Sequence, residues 1–284
     1  MAAGDQRVAW VLNLDADLEL AVPAYTAKAS VREAMRSFVP VVARSLLGPN
    51  DVLVEDDSAL GFARGMRGRA FCPTPRAIAL LERAGAEVEA HPSVDVLRRV
   101  NSRAFCASLG QTLPGGELVT DETRAFEKLA SDGPWRVKRL FGMTGRNQRV
   151  VDGSTSEVDR GFVRAGIAEG GVQIEPHVSI EAEYAIHGML AQDGSIELGR
   201  AVTQSCDSRG AWIATEPLEG NDVVSDLLVR EATWVGEALH GAGYFGPFGI
   251  DAFAYGGGKL NVRSEINARY TMGFGIGLRR TSSR

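Results

Sequence analysis

Two runs of alternating apolar and polar residues near the end of the chain flank three consecutive glycines, Gly256 to Gly258. Alternation with a period of two is typical of a strand with one buried face, and glycine adopts the backbone angles that tight turns need. The pattern therefore predicts a β-hairpin centred near Gly258, in which the two runs fold back on each other.

The polar face of this hairpin carries two carboxylates. With the turn centred near Gly258, Asp251 and Glu265 lie equally far from it and face each other across the strands. Asn267 lies two residues further along and on the same side. The opposite face is apolar and is expected to face the core; it consists of Ile250, Ala252, Ala254, Val262, Ile266 and Ala268.

The opposed carboxylates indicate a metal ion. Two like charges directly opposite each other on a sheet repel, so the arrangement favours a cation between them. Mg²⁺ is the natural candidate because it prefers oxygen ligands and takes further ligands from water and nucleotide phosphates; Mn²⁺ is the alternative ion. The competing interpretation is a solvated hairpin in which Arg263 and Arg269, on the same face, neutralise the acids.

Composition excludes several classes of protein. The chain has 284 residues, of which 44% are hydrophobic, so it can bury the cores of two or three compact units. A formal net charge of -5 provides no general attraction to nucleic acid or to anionic membranes. Neither is therefore an expected partner.

The start of the chain lacks a signal-peptide pattern, because Asp5, Arg7, Asp15 and Asp17 lie where an apolar core would be needed. The three cysteines are odd in number and lack CxxC spacing, which argues against a disulfide framework and a zinc site. We therefore expect a soluble protein of the reducing cytoplasm.

Strand and helix patterns alternate through residues 1–92. Strands are predicted at residues 8–14, 52–55 and 87–90, and helices at residues 30–48 and 74–85. Ser30 and Glu33 indicate a capping box for the first helix, and Thr74 with Pro75 indicates an N-cap for the second. This alternation predicts a small α/β unit with a parallel sheet.

The later segments mix helices with hairpins. Helices are predicted at residues 93–109, 122–130 and 223–239, strands at 117–120 and 172–176, and hairpins at 135–151 and 183–203. The first hairpin runs from Lys138 into a glycine-containing loop.

Lys138 and this loop together indicate an anion site. A lysine at the end of a strand can reach phosphate oxygens, and backbone N–H groups between Gly142 and Gly145 can cover the same anion. Taken singly each feature is weak, because a strand-end lysine is usually solvated and a short glycine loop is usually only a turn.

The order of these pieces resembles the ATP-grasp superfamily. An α/β unit is followed by the loop VKRLFGMTGRN, the acidic strand VQIEPHVSIEAEY, and the elements GIDAF and SEINAR, the last two of which look like the family's metal-binding aspartate and E-x-N-x-R. The resemblance covers roughly residues 95–274. It implies an ATP-grasp fold of the α/β and α+β class, with a pre-ATP-grasp domain at residues 1–92. An ATP-grasp domain at residues 93–284 would clamp ATP between subdomains 93–175 and 176–284.

The resemblance also implies nucleotide contacts. Lys138 resembles the lysine that binds the α and β phosphates, and Arg103 stands where the family often has a second lysine. Glu183 looks like the acid that accepts from the ribose hydroxyls, with Glu181 as the alternative. The family's phosphate lid and adenine hinge correspond here to Gly142, Thr144 and Gly145, and to Glu175, His177 and Val178.

Arg269 resembles the arginine that stabilises a substrate carboxylate or a developing acyl phosphate; the alternative is that it pairs with Glu265. Most members of the family release ADP while activating a carboxylate as an acyl phosphate, which an amine then attacks. The expected substrates are therefore ATP, a small carboxylate and an amine, with an amino acid or peptide favoured. An inactive ATP-binding sensor or partner subunit and an ATP-grasp kinase remain as alternatives.

Fifteen residues follow Arg269, so a C-terminal element that completes the substrate pocket in longer relatives is expected to be missing. The sequence is then either a shortened piece or a chain whose pocket is closed by another subunit, as in a homodimer.

Overall fold

The computed structural model of the chain describes residues 7–22, 24–56, 58–142, 145–152, 155–207 and 212–278. Its strands form three sheets, two of four strands and one of six. Within these ranges, no helix combines the length and the apolar composition needed to span a bilayer.

The first sheet is parallel and has the strand order β2-β1-β3-β4. Its elements are β1 (Val8–Val11), α1 (Ala16–Ala21), α2 (Ala29–Arg36), α3 (Val39–Leu46), β2 (Val52–Leu53), β3 (Arg67–Ala70), α4 (Pro75–Ala84) and β4 (Glu87–Val88). The alternation of strands and helices confirms the predicted α/β unit with a parallel sheet.

Three details of this unit differ from the prediction. The single helix expected at residues 30–48 is two helices, α2 and α3, because Pro40 cannot donate an N–H and its ring excludes the carbonyl four residues earlier. Ser30 makes no cap, since the N-cap of α2 is Lys28, two residues earlier. The strand β3 was not predicted, because arginine and glycine, which dominate it, are not typical of strands. Gly68 allows a close approach to Ala86, since a Cβ at this position would lie 3.1 Å from the Cβ of Ala86.

The second sheet is antiparallel, with the strand order β5-β8-β6-β7. Its segment contains α5 (Val94–Val100), α6 (Arg103–Ser108), β5 (Glu117–Val119), α7 (Glu122–Leu129), β6 (Trp135–Arg139), β7 (Gln148–Val151), α8 (Glu157–Ala168) and β8 (Val172–Pro176). The predicted hairpin of β6 and β7 is confirmed. The helix α8 was not predicted, although Ser156 and Asp159 form a capping box at its start.

The helix predicted at residues 93–109 is broken into α5 and α6. Ser102 caps α6 by accepting a hydrogen bond from the backbone of Ala104. The side chain of Asn101 accepts from the backbone N–H of Ala268 at 2.9 Å and donates to the carbonyl of Leu97 at 2.9 Å. The break thus ties the end of α5 to the segment that follows the last strand.

The third sheet has the strand order β12-β11-β9-β13-β14, with β10 also paired to β9. Its segment contains β9 (Ile180–Leu190), β10 (Ile196–Leu198), β11 (Val202–Cys206), β12 (Trp212–Pro217), α9 (Asp222–Gly241), β13 (Gly246–Tyr255), β14 (Lys259–Asn267) and α10 (Phe274–Gly277). The predicted strand at 195–203 is split into β10 and β11, which both pair with β9.

The helix α9 covers one face of this sheet and forms the largest core with it. Four fully buried residues of α9 contact the sheet: Leu228, Ala232, Val235 and Leu239. They pack with Ile186 of β9 and Ile250 of β13, each with no exposed surface. Burying a single aliphatic side chain of this size stabilises a fold by roughly 1.5–3 kcal/mol. The apolar face of β13 and β14 is thereby fixed, and their polar face is directed away from the core.

Candidate functional site

A cleft of about 880 Å³ lies where residues from all three sheet-forming segments meet. It collects most of the residues that the sequence singles out: Arg103, Lys138, Gly142, Gly145, Glu175, His177, Val178, Glu183, Asp251, Glu265, Asn267 and Arg269. Thr144 lies outside the described residues, and Glu181 does not line the cleft. The cleft is large enough for a nucleotide together with a small second substrate.

The hairpin of β13 and β14 places Asp251 opposite Glu265, as predicted. The strand pairing that leads to this register differs from the regular hairpin that was predicted. Pairs near the turn match Tyr255 with Lys259 and Phe253 with Asn261, so the turn is centred on the middle glycine. An irregularity between Asp251 and Phe253 then shifts the register of β14. Without that shift, continuation of the ladder would bring Arg263 opposite Asp251.

Arg263 is therefore removed from the carboxylate face. Only 3% of its surface is exposed, and its guanidinium pairs with Glu231 of α9 at 3.0 Å. It also donates to the carbonyl of Gly110 at 2.6 Å and lies over the ring of Trp234. The alternative in which Arg263 neutralises the two acids is wrong.

Asp251 lies in a desolvated environment. Its Oδ1 accepts from Nε2 of Gln204 at 2.9 Å, and its Oδ2 accepts from Nδ2 of Asn267 at 2.9 Å. Burial, followed by the charge of Glu265, raises the pKa of Asp251 to about 6. A bound cation would stabilise the ionised form of a carboxylate that faces a second carboxylate.

The donor set fits Mg²⁺. Among the described residues no group of three or more His, Cys, Asp or Glu side chains could hold a metal ion, and the polar face of the hairpin offers two carboxylates and the amide of Asn267. Such a sparse oxygen set suits an ion that keeps waters and borrows phosphate oxygens, and it does not suit zinc.

The raised pKa of Asp251 predicts an unusual dependence of stability on pH. Between its ordinary value of 3.8 and about 6, the folded metal-free protein holds a proton that the unfolded chain has lost, so this residue makes stability fall as pH rises through that window. A shift of this size corresponds to roughly 3 kcal/mol. Urea unfolding in EDTA from pH 4 to 7 should show this fall relative to Asp251→Asn. Parallel pH profiles for the two proteins would contradict it.

Lys138 lies at the other side of the cleft. On the neighbouring strands β6 and β8, its ammonium group forms an ion pair with Glu175, and both side chains are about nine-tenths buried. In the adjoining segment, Nδ1 of His177 lies 3.1 Å from the guanidinium of Arg136, and burial and then that positive charge lower the pKa of His177. Within the described part of the chain, the peptide N–H of Val178 has no hydrogen-bond partner.

The positions of Glu181 and Glu183 separate the two candidates for ribose binding. The carboxylate of Glu181 accepts from the backbone N–H groups of Gly257 at 2.8 Å and Gly258 at 3.3 Å, and so it holds the hairpin turn. Glu183 lines the cleft instead, where a hydrogen bond with Cys206 contributes, after burial, to raising the pKa of that thiol. Of the two glutamates, only Glu183 lines the cleft.

Arg103 connects the two sides of the cleft. Its Nη1 donates to the carbonyl of Arg139 at 2.7 Å and its Nη2 donates to Oε1 of Glu265 at 2.8 Å. Gly142 lies against it: a Cβ there would stand 2.9 Å from the carbonyl oxygen of Arg146 and 3.0 Å from Nη1 of Arg103. A larger residue at this position would displace the arginine.

Arg269 does not pair with Glu265, so that alternative is wrong. Its Nε and Nη2 donate to the two carboxylate oxygens of Asp17, at 3.2 Å and 2.6 Å. Asp17 belongs to α1 and also lines the cleft, a position that was not predicted from the sequence. The available signal was the alternation of Asp15, Asp17 and Glu19 with apolar residues directly after a buried strand.

Comparison with known proteins finds similarity in structure alone. No family model matches the sequence, and no curated protein matches it. Staphylococcus aureus N5-carboxyaminoimidazole synthetase, solved with ADP, is similar with a TM-score of 0.55 at 12% identity, over 93% of this chain and 71% of that one. The Aspergillus clavatus carboxyaminoimidazole ribonucleotide synthase, solved with ATP, gives 0.54 at 12% identity, over 94% and 71% of the two chains.

A third similar structure is a pyruvate carboxylase from Rhizobium etli, with a TM-score of 0.57 at 15% identity over 94% of this chain and 26% of that one. Structural similarity at sequence identities this low establishes the fold alone, so the reaction has to be argued from the site. The fold predicted from the sequence is confirmed, including its mixture of α/β and α+β parts.

Proposed function

We propose, from the ATP-grasp fold that this chain has, that it is an ATP-dependent ligase joining a small carboxylate to an amine, with release of ADP and phosphate. The observation that carries the proposal is the pairing of Asp251 with Glu265 on the polar face of the hairpin, in one cleft with Lys138 and Arg269. Two carboxylates, a buried lysine and a buried arginine are the groups that phosphoryl transfer to a carboxylate needs.

The nucleotide is proposed to lie between the second and third sheets. Lys138 and Arg103 would contact its phosphates, and the loop at Gly142 and Gly145 would cover them. The free N–H of Val178, next to Glu175 and His177, suits a ring nitrogen of adenine, and Glu183 suits the ribose hydroxyls. ADP and ATP are bound by the two similar synthetases.

Asp251, Glu265 and Asn267 would hold Mg²⁺, or Mn²⁺ in its place. When bound, the ion supplies charge neutralisation and polarises phosphoryl oxygens. Arg103 already contacts Glu265, so the two cations would share the negative charge that builds up at this side of the cleft.

The chain's own groups account for the remaining steps. Arg269 would orient the substrate carboxylate, one of whose oxygens attacks the γ phosphorus as the bond to the β-phosphate oxygen breaks and ADP leaves. The amine nitrogen then attacks the carbonyl carbon of the acyl phosphate, loses a proton, and displaces inorganic phosphate. Lys138 and Arg103 stabilise the charge that moves onto ADP.

The organisation of the chain is part of the proposal. Residues 1–92 would form a pre-ATP-grasp domain, and subdomains 93–175 and 176–284 would clamp the nucleotide, which is supported by the residue ranges of the three sheets. Cytoplasmic localisation is supported by three cysteines that are all unpaired. An inactive sensor is disfavoured because all three metal-facing residues line the cleft.

Incubation with pairs of carboxylates and amines tests the proposed reaction. ADP release that requires both members of a pair supports ligation, whereas release with a hydroxyl acceptor alone would support a kinase. Absence of ADP release across carboxylates, amines and hydroxyl acceptors would refute the catalytic proposal.

Replacing Lys138 with alanine should weaken binding of ATP roughly tenfold to a hundredfold, because one charge-assisted contact to phosphate is lost. Binding of AMP should fall much less, since AMP keeps the α phosphate but lacks the β and γ phosphates. Calorimetric titration of both nucleotides measures the difference. Lys128→Ala is the matched control, since Lys128 of the same segment pairs with Glu117 at 3.2 Å away from the cleft. Equal losses for ATP and AMP would make Lys138 a structural residue.

A further inference from the structure

The ion pair of Asp17 and Arg269 remains unexplained by nucleotide binding. It lies in the cleft beyond the metal-facing residues and joins the first sheet's segment to the end of the third. The Asp17 side chain is 8% exposed and that of Arg269 is 14% exposed, so the pair is mostly desolvated. A desolvated ion pair is costly to form and contributes little net stability, so a role in ligand contact would account for this pair better than a purely structural one.

The pair still has donors and acceptors to offer. Asp17 takes the Nε and one Nη2 proton of Arg269, and the carbonyl of Tyr270 lies 3.3 Å from Nη1. A guanidinium has five N–H donors, so one remains on each terminal nitrogen, in the orientation that a carboxylate accepts. Each oxygen of Asp17 likewise keeps a lone pair. A ligand can therefore contact both residues without breaking their contact.

The charges favour a dipolar ligand. A carboxylate approaching the pair is attracted by Arg269 and repelled by Asp17, and an ammonium group meets the opposite balance, so a ligand with one charge gains little. A zwitterion gains at both ends when its dipole lies antiparallel to that of the pair. The ammonium and carboxylate of an α-amino acid are separated by one carbon, which matches the spacing of two groups in direct contact.

The surroundings add two features of an amino-acid subsite. Oγ1 of Thr271 lines the same cleft and is buried without a hydrogen-bond partner, so it can contact a polar ligand group. Apolar side chains of the cleft lie in the same region and could enclose a ligand side chain: Leu14, Phe71, Trp212 and Met272.

The charged groups buried next to Asp17 determine which charge of a ligand is favoured at this residue. Asp15 and Glu19, on the same helix as Asp17, share the single cation Arg76. Three carboxylates and the two guanidinium groups of Arg76 and Arg269 leave one formal negative charge in this buried region. This charge adds to the attraction of Asp17 for the ammonium end of a zwitterion, whose carboxylate end is held by Arg269.

We propose that the Asp17–Arg269 pair selects a zwitterionic α-amino acid as the carboxylate substrate, with its ammonium group on Asp17 and its carboxylate on Arg269. This inference rests on the ligase function proposed above. Because Asp17 favours the protonated ammonium form, that nitrogen has no free electron pair and cannot attack the acyl phosphate. The nucleophile must therefore be the nitrogen of a separate amine molecule.

Binding measurements test the selection independently of turnover. Common amino acids are titrated into the wild-type protein with ADP and Mg²⁺ present. Each is compared with its 2-hydroxy acid, which lacks the ammonium group, and with its decarboxylated amine. At least one amino acid should bind about tenfold or more tightly than both of its analogues. γ-Aminobutyrate, whose charges are further apart, should bind as weakly as the analogues. Binding of no free amino acid, or equal binding of an amino acid and its hydroxy acid, would overturn the proposal.

The variant Asp17→Asn should remove the preference for the amino acid and leave the 2-hydroxy acid bound equally well or better, because Arg269 then lacks its counter-ion. A merely structural residue would weaken both ligands together. Asp15→Asn is the matched control: it removes a buried carboxylate of the same helix that pairs with Arg76 and does not line the cleft, so the preference should persist. If Asp17→Asn does not fold, the wild-type ligand series still decides.

The two proposals fail in different ways. Selective amino-acid binding without ADP release for any amine would refute the ligase and leave the zwitterion subsite standing. ADP release with hydroxy acids as readily as with amino acids would refute the subsite and leave the ligase standing.

Discussion

Replacing Asp251 with asparagine is expected to lower ATP-dependent turnover by roughly a thousandfold or more, about 4 kcal/mol of transition-state stabilisation. The substitution keeps the size of the side chain and removes one of the two charges that face each other across β13 and β14. Glu265→Gln should have a comparable effect, because the remaining single carboxylate binds a divalent ion weakly.

The stability of these variants should move in the opposite direction from their activity. Asp251 is half-buried and its pKa is raised to about 6, so its ionisation costs more in the folded metal-free protein than in the unfolded chain, and Asp251→Asn should melt at the same temperature or higher. Glu265→Gln loses the charge that Arg103 contacts at 2.8 Å, which offsets the relief of repulsion. Its melting temperature should therefore stay near that of the wild type.

Turnover at several Mg²⁺ concentrations and thermal unfolding in EDTA measure the two effects. Glu216→Gln is the control, since Glu216 is an exposed acid of β12 in the same sheet and lies outside the cleft. Normal activity of Asp251→Asn at low Mg²⁺, or a collapse of its melting temperature, would show that the acid is structural.

The sequence predicted the parts of this site that follow from local periodicity. Asp251, Glu265 and Asn267 share a face because alternation along two strands around a glycine turn leaves few registers that bury the apolar residues. The same periodicity could not reveal the irregularity in β14, which removes Arg263 to the core. In the shifted register Arg263 pairs with Glu231 of α9, a contact that is distant in sequence.

Long-range pairings account for the other misses. Nothing near Asp17 in the sequence indicates that Arg269 is its partner, because the two are brought together only when the first sheet docks on the end of the third. Similarly, the apolar periodicity of the helix continues past Asn101, but the helix breaks there. The side chain of Asn101 accepts a hydrogen bond from the backbone N–H of Ala268. Such positions are decided by tertiary contacts that override local preference.

The reaction itself should release ADP and inorganic phosphate, with no AMP or pyrophosphate. The reason lies in the arrangement of the cleft: Lys138, Arg103 and the two carboxylates surround the site proposed for the phosphates, and Arg269 lies in the same cleft to hold a carboxylate. This leaves the γ phosphorus as the electrophile that the carboxylate meets, and the intermediate is an acyl phosphate.

Isotopic labelling follows the bond that breaks. When the substrate carboxylate carries ¹⁸O, one labelled oxygen should appear in the released phosphate, because the amine displaces phosphate by breaking the bond between the carbonyl carbon and that oxygen. Hydroxylamine offered in place of the amine should yield a hydroxamate, since it attacks the same carbonyl carbon. Label recovered in AMP would mean that the carboxylate attacks the α phosphorus. ADP formed while the label stays in a stable phosphorylated product would mean that the protein is a kinase.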